Sequence, residues 1–433
     1  MTPAARVAAA IEVVGAIEKE RRPAADALKS WGLMHRFAGS GDRAAIAGLV
    51  YDALRRRASS AFIMDADTPR AVVLGMLRRE RGLDAETIAR LADGSKYAPE
   101  ALSEDECARL EASDMSRAPA HVAGDYPEWL DPHLLRVFGE ERDEEGAALA
   151  SRAPLDLRTN LLKSEREAAG NMLADVHPEP TRWSPWGLRI RLSAEAKNPS
   201  IHAEPAFLKG LVEVQDEGSQ VAALLSAAQP GEQVIDLCAG AGGKTLAMAA
   251  MMQNKGQIFA TDDDKRRLAP IHERLKRSGA RNVQVRTPKS IGDEISDLAG
   301  RMDLVLIDAP CTGIGAWRRN PDAKWRVRPG ALEQRQKEQA EILDRAVPPV
   351  KPGGRIAYIT CSVLEEENDA QARGFLARHA DFAVQAPTEV IKSLGERAFM
   401  FGNAARLSAL GTLMTPRSTD TDGFYVSVMR RAG

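Results

Sequence analysis

Cysteine is scarce in this 433-residue chain, and its four copies (Cys107, Cys238, Cys311, Cys361) form no CxxC pair. That spacing argues against a zinc ribbon or a disulfide scaffold. The seven histidines form no HxH or HExxH cluster, so no metal is expected. Aromatic residues are only 5%, which leaves Ala, Leu, Val and Ile to build the cores. No apolar run reaches the ~20 residues that span a bilayer. The opening residues carry Glu12 and Glu18 without a basic leading region, unlike a secretory signal. A cytoplasmic, reducing setting is expected. The length suits two or three domains, and 44% hydrophobic with 28% charged residues is an ordinary globular balance.

A strong net charge is also lacking, at −2, but the charge is unevenly spread. Residues 1–150 hold 20 Lys and Arg against 26 Asp and Glu, while residues 151–433 hold 39 against 35. The richest basic patch is WRRNPDAKWRVRP, where Arg318, Arg319, Lys324, Arg326 and Arg328 outnumber Asp322. Trp317 and Trp325 are interleaved with these bases. Polyanion grooves combine cations with stacking surfaces, so the five are candidate RNA-binding residues.

To about residue 115 the periodicity is helical. Ile46, Leu49, Val50 and Leu54 share one face, with Asp42 as an N-cap. Breaks at Pro23, Gly39–Gly41 and Gly82 divide an all-α bundle of five to seven helices. Residues 116–150 read as a linker punctuated by Pro and Gly, with a short helix. LDLRTN and LRIRLS are strand-like around a helical stretch, a small α+β module over 151–212. From 213 to 433 strands and helices alternate as in a doubly wound α/β sheet. QVIDL, QIFAT, VQVRT, DLVLID and RIAYIT are the strands. Helices are expected over Lys244–Met252, over Lys265–Ser278 and through VLEEENDAQARGFLARH, with GFYVSV as a late strand.

The first of these strands runs into DLCAGAGGKT. Glycine suits a turn that must bend sharply and approach a ligand closely. Cys238 stands where a P-loop needs glycine, and Thr245 fills the slot of a dinucleotide fingerprint's third small residue. Asp236 instead suits the cationic amino-acid end of S-adenosylmethionine. Asp262, ending the second strand, is positioned for ribose hydroxyls.

Cys311 in LIDAPCTG and Cys361 in YITCS sit at or just after the carboxyl ends of later strands, where open sheets bind ligands. The usual thiol pKa of ~8.5 must fall for a thiolate to act, and a helix N-terminus after Cys361 would help. A thiolate beside a methyl donor suggests attack on carbon 6 of a pyrimidine, which activates carbon 5. Methyl transfer to oxygen or nitrogen needs no such thiol.

DLCAGAGGKT, LIDAPCTG, RRNPDAKW, ITCSVLEEEN and VQDEGSQ together resemble the Sun/Fmu family of RNA 5-methylcytosine methyltransferases over roughly residues 120–430. The helical N-terminus resembles the NusB-like RNA-binding domain. The resemblance implies a NusB-like domain at 1–115, an RRM-like module at 151–212, and a class I (Rossmann-like) methyltransferase domain at 213–433. It implies S-adenosylmethionine-dependent methylation of a cytosine in RNA, most simply 16S ribosomal RNA, by a monomer through a covalent cysteine–cytosine adduct. Carried over by residue, Cys238, Ala239, Gly240, Ala241, Gly242, Gly243 and Lys244 line the methionine end of the cofactor. Asp262 holds its ribose, and Asp308 lines the pocket and meets the cytosine edge. Cys361 becomes the nucleophile, and Cys311 assists its release. The chain departs from the family pattern in three places. Pro288 replaces an acid near the adenine, Glu365 replaces a proline before EEN, and Gly240–Ala241 replace Ala–Pro. A non-catalytic RNA-binding or ribosome-assembly factor is the alternative from another class. A DNA-type enzyme would promote Cys311 to nucleophile.

Overall fold

The computed structural model describes residues 1–192, 199–288 and 295–433. They form two compact units, Met1–Arg152 with Trp317–Arg328, and Ala153–Ala316 with Pro329–Gly433.

The first unit is helical, with seven helices between Pro3 and Ala112. Small side chains let them approach closely in a chain poor in aromatics. Ala10, Val14, Ile46, Val50, Val72 and Leu74 are fully buried, and a Cβ on Gly75 would fall 2.6 Å from the Ser60 carbonyl oxygen. Thr2, Thr68, Asp84 and Ser103 cap helix N-termini with their side chains. Asp42 does not. Its helix begins earlier, at Ser40, and its carboxylate accepts from Arg6 Nε at 2.9 Å.

Residues 116–150 are not a linker. They form helices Ala120–Ala123, Asp131–Phe138 and Arg142–Leu149, with Tyr126, Leu130, Leu134 and Leu149 fully buried. A Cβ on Gly124 or Gly146 would fall 2.5 Å from the Tyr126 ring. Those glycines make room for a buried aromatic, whereas composition alone reads them as chain breaks.

The basic segment also departs from expectation, because Trp317–Arg328 packs within this helical unit. Lys324 Nζ donates to the Arg55 carbonyl at 2.9 Å, and the Trp325 indole donates to the Leu54 carbonyl at 2.7 Å. Both carbonyls belong to the last turn of helix Ser40–Arg55, where no intrahelical donor exists. Arg55 Nη1 returns a bond to the Arg318 carbonyl at 2.6 Å. Arg318 is 3% exposed and Lys324 0%. Arg318 and Lys324, expected as RNA contacts, are thus buried in the packing of this unit. Arg326 and Arg328 are exposed and Arg319 is half-buried.

Burial pushes the Lys324 ammonium down to about 7. In the unfolded chain the same group holds its proton to about pH 10.4. Between those values the unfolded state binds more protons, so this group makes stability rise with pH, and its cost is fully present at lower pH. Thermal unfolding should therefore show a midpoint that climbs from neutral to alkaline pH, and Lys324→Met should flatten the climb. An equal climb in the variant would assign it to another group.

The second unit carries two sheets. The smaller is antiparallel, in the order β2–β3–β1–β4, from β1 (Leu155–Thr159), β2 (Glu179–Pro180), β3 (Gly187–Ile190) and β4 (Val212–Val214). Its last strand runs past residue 212, and it clusters with the larger sheet in one unit. The nine strands of the larger sheet are β5 (Gln233–Asp236), β6 (Gln257–Thr261), β7 (Val283–Arg286), β8 (Met302–Asp308), β9 (Val350–Thr360), β10 (Phe382–Val384), β11 (Arg406–Leu407), β12 (Thr412–Met414) and β13 (Phe424–Arg431). Their order is β11–β12–β13–β9–β8–β5–β6–β7, with β10 paired to β13. The pairs from β9 through β7 are parallel, and β13 runs antiparallel to β9.

This is the α/β fold of a class I methyltransferase. Leu304, Val305, Leu306 and Ile307 are all fully buried, as expected for a strand covered on both faces. The chain moves outward from β5 to β7 on one side and from β8 to β9 on the other. Strand order thus reverses between β5 and β8, where such sheets open a ligand crevice at their carboxyl ends. The helix expected over Lys265–Ser278 is split into Lys265–Leu268 and Ile271–Ser278 at Pro270, which has no N–H to continue the ladder. After Cys361 there is a three-residue 3-10 turn, Glu365–Glu367, before helix Asp369–Arg378. No helix N-terminus reaches Cys361. Among the described residues no helix is long and apolar enough to cross a membrane, and no cluster suits a metal ion.

Candidate active site

Residues 237–242 turn from β5 into helix Gly243–Met251. Gly240 (φ 49°) and Gly242 (φ 85°) both lie in the left-handed region. A Cβ on Gly242 would fall 2.5 Å from Ile271, so only glycine lets the loop close on helix Ile271–Ser278. The Asp262 carboxylate accepts the Gly240 N–H at 2.9 Å and the Asp264 N–H at 3.0 Å. Asp262 is thus a brace of the glycine loop, a role its position in the sequence does not reveal. Cys238, Asp262, Asp263 and Asp264 line a cleft of about 310 Å³, closed on other sides by Pro310 and Ile342.

Helix Pro329–Arg345 adds Arg335, Glu338 and Glu341 to that cleft. Sequence reading missed this wall. Nothing in a polar helix marks the turn that will face a crevice.

Asp236 lies beneath the loop, only 1% exposed, and does not line the cleft. Its Oδ2 accepts Thr245 Oγ1 at 2.6 Å, and its Oδ1 has no partner among the described residues. Burial pushes this carboxyl up to about 7. Burial first, then the carboxylates of Asp236 and Asp262, raise the Cys238 thiol well above its usual value. Both causes favour the neutral thiol of Cys238 over its thiolate. Lys244 Nζ pairs with Asp308 Oδ2 at 2.7 Å and lies 5.0 Å from the Phe424 ring centroid.

The thiols of Cys311 and Cys361 meet. β8 and β9 are parallel neighbours with Asp308 opposite Ile359, so the loops that follow them emerge side by side. Cys311 Sγ and Cys361 Sγ stand 3.3 Å apart, well beyond the ~2.05 Å of a disulfide bond. The Gly315 N–H donates to the Cys361 carbonyl at 3.0 Å, fixing one loop on the other. The neighbouring Cys361 thiol, then burial, hold the Cys311 thiol well above the usual range.

Two residues of the EEEN stretch organise this pair. Glu367, fully buried, accepts the Thr312 N–H at 2.8 Å, the Thr312 Oγ1 at 2.5 Å and Gln339 Nε2 at 3.1 Å. Asn368 accepts Thr360 Oγ1 at 2.6 Å and donates to the Ser362 carbonyl at 3.0 Å, holding the turn that contains Cys361. The sequence offers the motif, but the role of Glu367 needs Thr312, 55 residues away.

The profile of the family described as 16S rRNA methyltransferase RsmB/F matches residues 223–430. The ribosomal RNA small subunit methyltransferase B of Salmonella arizonae is 36% identical over 263 residues, 60% of this chain and 59% of that protein. The probable ribosomal RNA small subunit methyltransferase B of Synechocystis is 31% identical over 310 residues, 71% of this chain and 67% of that protein. The chain thus matches about three fifths of the length of the Salmonella relative. The crystal structure of PH0851 aligns over 100% of this chain and 99% of its own at TM-score 0.72 and 24% identity, a likeness of fold.

Proposed function

The chain belongs to the 16S rRNA methyltransferase RsmB/F family, and from that premise we propose that it methylates carbon 5 of a cytosine in small-subunit ribosomal RNA. The observation that carries the reading is the Cys311–Cys361 pair, 3.3 Å apart, on loops that follow adjacent parallel strands. Simple heteroatom methylation has no use for two such thiols.

The cleft suits S-adenosylmethionine. The loop that reaches it through Cys238 turns on two left-handed glycines, and the acidic wall of the cleft complements a cationic amino-acid end and ribose hydroxyls. When bound, the cofactor would supply an electrophilic methyl group. The loop from Cys238 to Lys244 would cradle its methionine portion, with Asp262 holding the loop and the ribose edge. Asp262→Ala should weaken S-adenosylmethionine binding by about tenfold or more, the usual cost of a charge-assisted hydrogen bond. Calorimetric titration measures it, and an unchanged affinity would remove Asp262 from the site.

In the reaction, Cys361 loses its thiol proton to solvent and its sulfur adds to carbon 6 of the cytosine, while the carbon 5–carbon 6 π pair moves onto carbon 5 and makes it nucleophilic. Asp308, part-exposed beside Lys244, would accept a hydrogen bond from the cytosine amino edge. After methylation carbon 5 must lose its proton, and the sulfur–carbon 6 bond must then break to restore the ring. Cys311 suits that later step. Its sulfur stands 3.3 Å from that of Cys361, beside any adduct formed there. With its own proton passed to solvent, Cys311 would take the carbon 5 proton while Cys361 departs as thiolate. Transfer of a labelled methyl group to small-subunit ribosomal RNA, read by bisulfite mapping, tests the proposal. A chain that binds RNA but transfers no label would favour an assembly factor.

A further inference from the structure

Loop 240–242 is held at three points, and two of the holds come from a single helix. Asp262 takes the Gly240 N–H, Ile271 packs on Gly242, and Arg274 Nη1 donates to the Ala241 carbonyl at 2.9 Å. Arg274 is itself anchored. Its Nε and Nη2 donate to Glu213 Oε2 at 3.2 and 3.0 Å. Glu213 lies on β4 of the antiparallel sheet, is 2% exposed, and also receives Arg277 Nη2 at 2.6 Å. One guanidinium therefore ties the small sheet to the glycine loop. The planar fork of arginine can serve a carboxylate on one edge and a carbonyl on another, whereas an ammonium is a single point.

The composition of the loop makes such a tie consequential. Gly240 has the widest backbone freedom of any residue, and Ala241 has no ring to fix its φ. Unbraced, residues 240–241 would spread over several conformations. A ligand that needs one of them binds more weakly, in proportion to the competent fraction.

We infer that Arg274, anchored by Glu213, is a positioning residue that sets cofactor affinity by holding the Ala241 carbonyl. The inference rests on the reading of loop 238–244 as the cofactor site. Its test is calorimetric titration of S-adenosylhomocysteine into the full chain, with a thermal melt of each variant. Arg274→Met should raise Kd about tenfold, by removing a charge-assisted bond, and Arg274→Lys should raise it less. Glu213→Gln should also raise Kd. The double variant Glu213→Gln with Arg274→Met should bind no worse than Arg274→Met alone, because Glu213 acts through Arg274. In turnover, KM for S-adenosylmethionine should rise by more than kcat falls. An Arg274→Met protein with a lower melting temperature and an unchanged Kd would overturn the inference, as would an unchanged Kd in Arg274→Lys should the methionine variant not fold. Additive losses in the double variant would overturn the anchoring role of Glu213. A wild-type chain that binds no S-adenosylhomocysteine would instead overturn the cofactor reading itself.

Discussion

Replacing Cys361 with alanine should abolish both methylation and any covalent protein–RNA species, whereas replacing Cys311 should make that species accumulate. The two thiols are close enough to share a hydrogen bond, yet the proposed roles fall on opposite sides of methyl transfer. Without Cys361 nothing attacks carbon 6, so carbon 5 stays unreactive. Covalent catalysis fails at its first step, and the loss is complete within detection. Without Cys311, attack and transfer proceed, but carbon 5 keeps its proton and the thioether cannot leave. Denaturing gels with labelled RNA would then show a slow band that survives detergent. A trapped band from the Cys361 variant and none from the Cys311 variant would reverse the roles and favour the DNA-type arrangement.

Much of this site can be read from sequence because it depends on local order. Short apolar runs alternating with helices announce a parallel sheet, and the loop after β5 declares itself by glycines that have to take positive φ. What stays hidden depends on neighbours distant in the chain. In the segment from Arg318 to Arg328, charge is visible in the sequence while the burial of Arg318 and Lys324 is not. Lys324 is spent on the open carbonyl of Arg55, 269 residues away along the chain. The stretch 116–150 looks like a linker because Gly124 and Gly146 are read as breaks until Tyr126 is seen between them. Asp262 lines the crevice and also braces the glycine loop through two backbone N–H groups, a second job that its place in the sequence does not show. In each case the residue type is legible and its partner is not.

Glu367 extends this reasoning to a residue whose sequence shows only an acid in an acidic run. Its carboxylate is fully buried and receives both donors of Thr312, the residue that follows Cys311. Gln339 Nε2 reaches it too, but that amide also donates to the Pro310 carbonyl at 2.9 Å and would keep a partner. Glu367→Ala should therefore orphan chiefly the Thr312 N–H and hydroxyl. At roughly 1–3 kcal/mol for each buried donor left unmade, the loss of stability is about 3 kcal/mol. Denaturant titration would show this as a lower midpoint at unchanged slope. The activity should fall further than the folded fraction does, because the freed loop carries Cys311. A drop of about a hundredfold corresponds to ~2.7 kcal/mol of lost positioning. Since Cys311 acts after attack, the fall should appear in release, with trapped RNA adduct accumulating as it does in the Cys311 variant. Glu367→Gln keeps the volume and one acceptor oxygen, so it should be milder on both measures. Full activity per folded molecule in Glu367→Ala, together with the expected stability loss, would mean that Glu367 supports the fold without tuning the release step.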